Sequence, residues 1–177
     1  MRKIVIVICV LISSLLLSAA DYPKSIQKKI DRTLVKLYPK QLVELKDMDV
    51  SDTLISAYSS VRNVKVSHLK TAESELGYAC FASSKGKNDY FDYMVIFDTD
   101  LLVKKVVVLV YRSTYGGEIM SRSWLKQFIG KSKGESMEMD KDIDGISGAT
   151  LSAPSITQGI KELSLLISDI NQNKESN

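Results

Sequence analysis

The chain has 177 residues, a length that predicts a single domain with a proper hydrophobic core. With 45% hydrophobic and 25% charged residues it has the composition of a globular protein. The net charge is +3, from 24 basic and 21 acidic residues. Two of the basic residues, Arg2 and Lys3, lie in the predicted leader, so the rest of the chain has 22 basic residues and 21 acidic ones. A charge so nearly balanced gives no electrostatic footprint for nucleic acid or anionic lipid.

The first twenty residues have the features of a secretory signal peptide. Met1–Lys3 is basic, Ile4–Leu17 is almost unbroken apolar sequence, and the small residues Ser18–Ala20 precede Asp21. This order is typical of a cleaved signal, and the apolar run is shorter than the roughly 20 residues of a membrane span. The sequence therefore predicts export to the periplasmic or extracytoplasmic face of the membrane, with an uncleaved anchor as the alternative.

The pattern from Asp21 to about Val50 is helical. Apolar residues recur at spacings of three and four, with lysines on the other faces, at Ile26, Ile30, Leu34 and Leu37. Pro39 interrupts the pattern, which predicts one helix to about Tyr38 and then a shorter piece or a turn. Another short helix is predicted within Ser51–Ser60, so residues 21–60 form an N-terminal helical segment.

From about Val61 the period changes to that of β-strands, and residues 61–170 are predicted to form one domain. Four segments rich in Val, Ile, Tyr and Phe are separated by turn-forming residues, at Asn63–Leu69, Gly77–Ser83, Tyr90–Asp98 and Leu101–Arg112. They predict an antiparallel meander. Because Val103–Val110 is apolar on both faces, it is predicted to be a central strand.

Two helices are predicted after the strands. The first covers Glu118–Gly130. The second begins at Ser152, a capping residue, with Pro154 in its first turn. An apolar stripe follows at Ile156, Ile160, Leu163, Ile167 and Ile170, and residues 171–177 form a polar tail. The predicted fold class is α+β, with helices packed against one antiparallel sheet.

Cysteine and histidine are too scarce to build common sites. Without the leader Cys80 has no partner for an internal disulfide, and it is interpreted as a small buried thiol. His68 is the only histidine, so a transition-metal site is not expected.

The run Asp144–Thr150, which reads D-G-I-S-G-A-T, has the features of a phosphate-binding loop. Its two glycines and its alanine leave the backbone open to a bulky anion, and the predicted helix that follows favours a phosphate at its positive end. It lacks the Gly-Lys-Ser/Thr ending of a nucleoside-triphosphate loop. From the residues alone, a phosphate or nucleotide loop and a plain turn that caps the helix both remain open.

The same run resembles the flavinylation motif of the FMN-binding domain family. That family includes the flavin-bearing subunits of sodium-pumping NADH:quinone reductase and of the Rnf electron-transport complex. Its pattern is Asp, two variable residues, Ser or Thr, Gly, Ala, then Ser or Thr. Asp144, Ser147, Gly148, Ala149 and Thr150 match every fixed position.

The resemblance implies a covalent cofactor. In that family the last hydroxyl, here that of Thr150, is joined to FMN as a phosphoester by an FAD:protein FMN transferase. Asp144 would present the loop to the transferase or complete its metal site, and Ser152 would lie close to the phosphate. Trp124 is interpreted as a core residue rather than a platform for the flavin.

The resemblance extends upstream and covers roughly Ser74–Leu166. In better-known members the second flavin-contacting loop reads Glu-Thr-Pro-Gly-Leu-Gly. This chain has Ser113 at the acidic position and Tyr115 at the proline, and retains Gly116 and Gly117 as candidate flavin contacts. Tyr115 either stacks on the isoalloxazine ring or packs over the edge of the sheet.

No nicotinamide fingerprint and no haem or iron–sulfur pattern occurs in the sequence. A lone flavin then predicts an electron carrier or subunit rather than a stand-alone enzyme. It would relay electrons between redox partner proteins, one of which could be a membrane electron-transport complex. The alternatives are an extracytoplasmic flavin-dependent reductase and a non-redox module that binds FMN reversibly.

Overall fold

The structure is a computed structural model that describes residues 22–133 and 137–175. The predicted signal peptide, residues 1–20, and the last two residues of the predicted tail lie outside the described residues. Within the described ranges, no helix is both long and apolar enough to cross a membrane.

Five antiparallel strands form one sheet in which each strand lies beside the next along the chain. They are β1 (Glu44–Asp47), β2 (Arg62–Lys70), β3 (Glu75–Lys85), β4 (Tyr90–Phe97) and β5 (Val103–Val110). The sequence predicted β2 to β5 to within two residues at each end. It missed β1, because four mostly exposed residues are too few to show a period.

Helices cover both faces of the sheet. They are α1 (Lys24–Leu37), α2 (Asp52–Ser56), α3 (Arg122–Leu125) and α4 (Ser152–Glu175), with 3₁₀ turns at Gly117–Met120 and Lys126–Phe128. Helix α1 packs on one face and α4 on the other, and each encloses its own apolar core. The predicted α+β fold is confirmed.

The two long helices pack through the apolar stripes that the sequence predicted. In α1, Ile30 and Leu34 are buried against Phe81 and Met94 of the sheet. In α4 the whole predicted stripe is buried, at Ile156, Ile160, Leu163, Ile167 and Ile170. Helix α4 continues to Glu175, so the first part of the predicted polar tail is helical.

Strand β5 is an edge strand, so the prediction of a central position was wrong. Both of its faces are nevertheless covered, because Leu109 packs into the core beneath α1 while Val106 and Val108 pack into the core beneath α4. An apolar pattern on both faces shows that layers lie above and below a strand. It does not show how many strands lie beside it.

The segment predicted as one helix over Glu118–Gly130 is divided into a 3₁₀ turn, α3 and a second 3₁₀ turn. Ser121 interrupts it with extended backbone angles, φ −59° and ψ 122°. Gly130 ends it, as predicted, at φ +84°. Its N–H donates to Val103 O over 2.8 Å, which ties this segment to the start of β5.

Candidate functional site

Two loops that the sequence predicted separately meet at the beginning of α4. One is the run Asp144–Thr150, and the other is Ser113–Glu118, which follows β5. Tyr111 ties the second loop to the first residue of α4, because its hydroxyl donates to Tyr115 O over 2.6 Å and is hydrogen-bonded to Ser152 Oγ over 2.8 Å. Tyr111 is the most important site residue that the sequence analysis did not single out. A tyrosine at the end of a strand gives no signal of such a link.

Gly116 allows the second loop to lie against the helix. Its φ is +86°, and a Cβ built on it would lie 2.6 Å from Ser152 Oγ and would also collide with the hydroxyl of Tyr111. A side chain at this position would therefore separate the loop from α4. The sequence predicted Gly116 as a flavin contact, and the structure gives it in addition this role in loop packing.

Gly148 has the same role in the first loop. Its φ is +87°, and a Cβ there would lie 2.7 Å from the carboxylate carbon of Glu118. The Glu118 carboxylate thus lies directly against Gly148 of the Asp144–Thr150 run. The sequence alone predicted no role for Glu118.

Hydrogen bonds to the Arg122–Phe128 segment hold the Asp144–Thr150 run in place. Trp124 Nε1 donates to Asp144 O over 2.7 Å, and Asp144 N–H donates to Gln127 Oε1 over 2.8 Å. Trp124 itself is buried, as predicted, so the tryptophan belongs to the core and positions the loop at the same time. Ala149 is buried, which anchors the other end of the run.

Between these anchors the polar side chains of the run face outward. Asp144, Ser147 and Thr150 are exposed. Ser152 is only 1% exposed, and its hydroxyl is hydrogen-bonded to Tyr111. Of the hydroxyl groups in this region, those of Thr150 and Ser147 are therefore open to an enzyme that modifies them, whereas that of Ser152 is not.

Tyr115 projects from the second loop with 61% of its surface exposed. Its ring contacts the ammonium of Lys87, which lies 4.9 Å from the ring centroid. Lys87 belongs to the turn between β3 and β4, so a third loop approaches the site. An exposed ring beside a cation is not held by packing over the edge of the sheet, and it presents a face on which an aromatic group can stack.

The start of the second loop is fixed to the sheet by Arg112. Its Nη2 forms an ion pair with Asp92 Oδ2, and its Nη1 donates to Tyr90 O over 2.9 Å. The hydrogen bond to Asp92 raises the pKa of the Arg112 guanidinium. The loop therefore leaves β5 from a fixed point.

A cavity of about 390 Å³ lies beside the first turns of α4. It is lined by Ser59, Ser60, Arg62, Lys85, Tyr90, Pro154, Ser155 and Gln158. Arg62 and Lys85 each place their cationic group 4.8 Å from the centroid of the Tyr90 ring. None of the predicted site residues lines this cavity.

Cys80 and His68 lie apart from these loops, on β3 and β2. Cys80 is fully buried, as predicted, and burial raises the pKa of its thiol. His68 contacts Glu75 and Lys174. Among the described residues, no group of three or more His, Cys, Asp and Glu side chains is arranged to hold a metal ion.

Residues 86–164 match the family model of the FMN-binding domain. The matched region begins in the turn before β4 and ends in the middle of α4, so it contains both loops of the site. A search of curated proteins found no match.

Proposed function

Because residues 86–164 of this chain form an FMN-binding domain, we propose that it is an exported flavoprotein that carries FMN covalently on Thr150 and relays electrons between redox partners. The observation that supports the attachment most directly is the exposure of Thr150 within a loop that is anchored at both ends. A transferase needs such a hydroxyl, since it must reach the oxygen without unfolding the domain.

The residues around Thr150 fit an FMN phosphate. Gly148 leaves the backbone uncovered by a side chain of its own, and α4 begins two residues after Thr150. The N–H groups of Ala153 and Ser155 already donate to Ala149 O and Leu151 O, and Pro154 has no N–H, so the helix contributes chiefly the partial positive charge of its dipole. A 24-residue helix thus directs its positive end toward the phosphate.

Two carboxylates flank the same run. Glu118 lies against Gly148, and Asp144 is exposed at the start of the run. Negative charge next to a phosphate is unfavourable unless a cation lies between them. We therefore assign Asp144 to the modification step, in which its carboxylate presents the loop or completes a metal site that the transferase brings. The resemblance implies the same role.

The attachment is a phosphoryl transfer from FAD. The Thr150 hydroxyl oxygen bonds to the phosphorus of the FMN half of FAD, the bond from that phosphorus to the bridging oxygen breaks, and AMP leaves. The hydroxyl proton passes to a base of the transferase. No electron is transferred, and the protein gains FMN minus one water.

Export supplies the reason for a covalent bond. The fraction of a reversible flavoprotein that holds its cofactor falls once the free FMN concentration drops below the dissociation constant. Outside the cytoplasm a protein cannot rely on a concentrated flavin pool. A phosphoester at Thr150 removes that equilibrium and leaves the isoalloxazine ring free for redox chemistry, which the cofactor supplies.

The ring would be held by the second loop. Tyr115 presents an exposed aromatic face, while the buried Gly116 holds the loop against Tyr111 and Ser152, and Gly117 is half-buried. The side chains of Ser147, Thr150 and Tyr115 are all exposed. An exposed flavin suits transfer between proteins better than reduction of a small substrate, which requires a pocket next to the ring.

Intact-mass measurement after co-expression with and without an FAD:protein FMN transferase tests the attachment. We expect the wild-type chain to gain the mass of FMN minus water only with the transferase, and to give a flavin-fluorescent band after denaturing electrophoresis. Thr150→Ala should abolish both signals. Ser147→Ala, which removes the other exposed hydroxyl of the run, is the matched control and should retain them.

The outcomes separate the alternatives. Reversible FMN that washes away on denaturation would identify a non-covalent module, and retention of the mass in Thr150→Ala with loss in Ser147→Ala would move the bond to Ser147. For the relay itself, the reduced flavoprotein should pass electrons to a protein acceptor and react slowly with small organic acceptors. Rapid, saturable oxidation by one small acceptor would favour the reductase.

A further inference from the structure

A second feature of the surface lies away from the flavin loops, between α1 and the edge strand β5. It is a cleft of about 830 Å³ with α1 on one side and the Met120–Leu125 segment on the other. The floor is the Lys105–Val108 part of β5. Its volume lies in the range of clefts that bind ligands in proteins.

Every charged side chain that lines this cleft is a cation. There are six, at Lys28, Lys29, Arg32, Lys36, Lys105 and Arg122. None of them forms an ion pair with a carboxylate in the part of the chain that the structure describes. In a chain whose total charge is close to balanced, this cluster concentrates positive charge in one concave place.

On the floor of the cleft, part of the main chain of β5 has no backbone partner among the described residues. One side of β5 faces β4, and about half of the N–H and C=O groups of an edge strand point the other way. Within the described ranges, the backbone bonds on that outer side are those of Val103 with Gly130 and Lys131, at the start of the strand. Further along the strand, Lys29 Nζ donates to Leu109 O over 3.4 Å.

We propose that this cleft binds an extended acidic segment of a partner protein, which adds to the sheet as a sixth strand beside β5. The main-chain groups of β5 would supply hydrogen bonds, and the six cations would select acidic side chains. Since alternate side chains of a strand point to opposite faces, one set would meet the lysines of α1 and the other would meet Arg122. A lipid surface fits less well, because a flat array of headgroups does not reach main-chain groups at the bottom of a cleft.

The proposal does not depend on the flavin. The wall residue Met120 nevertheless belongs to the same 3₁₀ turn as Glu118, which contacts Gly148 of the flavin loop. A partner bound in the cleft would therefore lie next to one end of the 3₁₀ turn whose other residues reach the predicted flavin site.

Fluorescence anisotropy with a labelled, capped peptide of alternating Glu and Val tests the proposal on the full chain without flavin. Two further peptides serve as probes, one with Gln in place of Glu and one N-methylated at every residue, which blocks hydrogen bonding from both edges of the strand. We expect binding by the acidic peptide that weakens between about 0.02 M and about 0.3 M salt, and weak or no binding by the other two. In NMR spectra the shifted amides should include those of Lys105–Leu109.

Matched variants locate the site. Lys28→Gln combined with Arg32→Gln removes two exposed cations of the cleft and should weaken the acidic peptide about tenfold at low salt. Lys24→Gln combined with Lys46→Gln removes the same charge from exposed positions outside the cleft and should change the affinity less than about twofold.

Three results would overturn the proposal. Equal binding of the N-methylated peptide would exclude strand addition, and equal binding of the Gln peptide would exclude selection by charge. Binding of phosphatidylglycerol vesicles that depends on Lys28 and Arg32, with no peptide binding, would identify a membrane surface instead.

Discussion

At the scale of single residues, the site depends on positions where a side chain is absent. Gly116 and Gly148 both have positive φ, and each is covered by a polar side chain, that of Ser152 in α4 for the first and that of Glu118 in the second loop for the second. The loops approach so closely that the space of one Cβ decides whether they meet. Tyr111 then fixes the arrangement through two hydrogen bonds.

Gly116→Ala tests this packing, with Gly130→Ala as its control. The two glycines have nearly equal φ, +86° and +84°, but a Cβ at Gly130 meets nothing within 4 Å. We expect Gly130→Ala to cost about 1–2 kcal/mol of unfolding free energy from backbone strain alone. Gly116→Ala adds a collision with Tyr111 and Ser152 and should cost about 3 kcal/mol or more. Urea denaturation measures both values, and equal losses would show that the loops are not packed together.

At the scale of secondary-structure elements, polar contacts join the end of α4 to the sheet. His68 of β2 contacts Lys174 of α4 and Glu75 of β3, and its ring packs 4.9 Å from that of Tyr78. Burial, followed by the charge of Lys174, lowers the pKa of His68, while Glu75 opposes the shift and Lys46 adds to it. The folded state therefore favours the neutral imidazole.

This shift gives a pH dependence of known sign. The folded pKa of His68 lies below the unfolded value of about 6.5, so the unfolded chain binds the proton more readily. The contribution of His68 to stability is present above about pH 6.5 and is lost as the pH falls through the folded pKa. His68→Gln should reduce the loss of unfolding free energy between about pH 7.5 and 5.5, and no other histidine complicates the comparison.

An NMR titration of the His68 ring checks the cause independently. Its pKa in the wild-type chain should lie below that of a histidine in an unfolded peptide, and Lys174→Gln should raise it. A wild-type pKa at or above about 6.5 would contradict this account.

At the scale of the whole molecule, the sheet is enclosed by layers that come from opposite ends of the chain. Helix α1 covers one face and α4 covers the other. The family match begins at residue 86, and the domain predicted from the sequence begins at residue 61, so neither includes α1. The core beneath α1 nevertheless includes fully buried residues of β2, β3 and β4, such as Leu69, Ala79 and Ile96.

A fragment of residues 61–170 should therefore be less stable than residues 22–175. Removal of α1 exposes the apolar face that Ile30 and Leu34 cover. We expect a lower thermal midpoint, stronger binding of a hydrophobic dye and aggregation at concentrations at which the longer chain stays monomeric. Thermal unfolding and dye fluorescence compare the two. Equal midpoints and equal dye binding would show that the domain is complete without α1.

The sequence by itself determined the elements with strong local signals. Apolar spacing of three and four located α1 and α4, the change to β-type sequence located four strands, and the Asp144–Thr150 run located the loop before α4. These features can be recognised from the sequence because each depends on a repeat or a turn within a few residues. A resemblance, rather than any such pattern, connected the loop with flavin.

Only the tertiary structure decided which distant residues meet. It placed β5 at the edge of the sheet, paired the short β1 with β2, and brought Tyr111 and Glu118 to the start of α4. It also gathered cations from α1, β5 and α3 into one cleft. Such contacts depend on the order of strands and on the faces that helices cover. Neither is recorded in the periodicity of a single segment, because burial of an apolar face does not reveal which partner buries it.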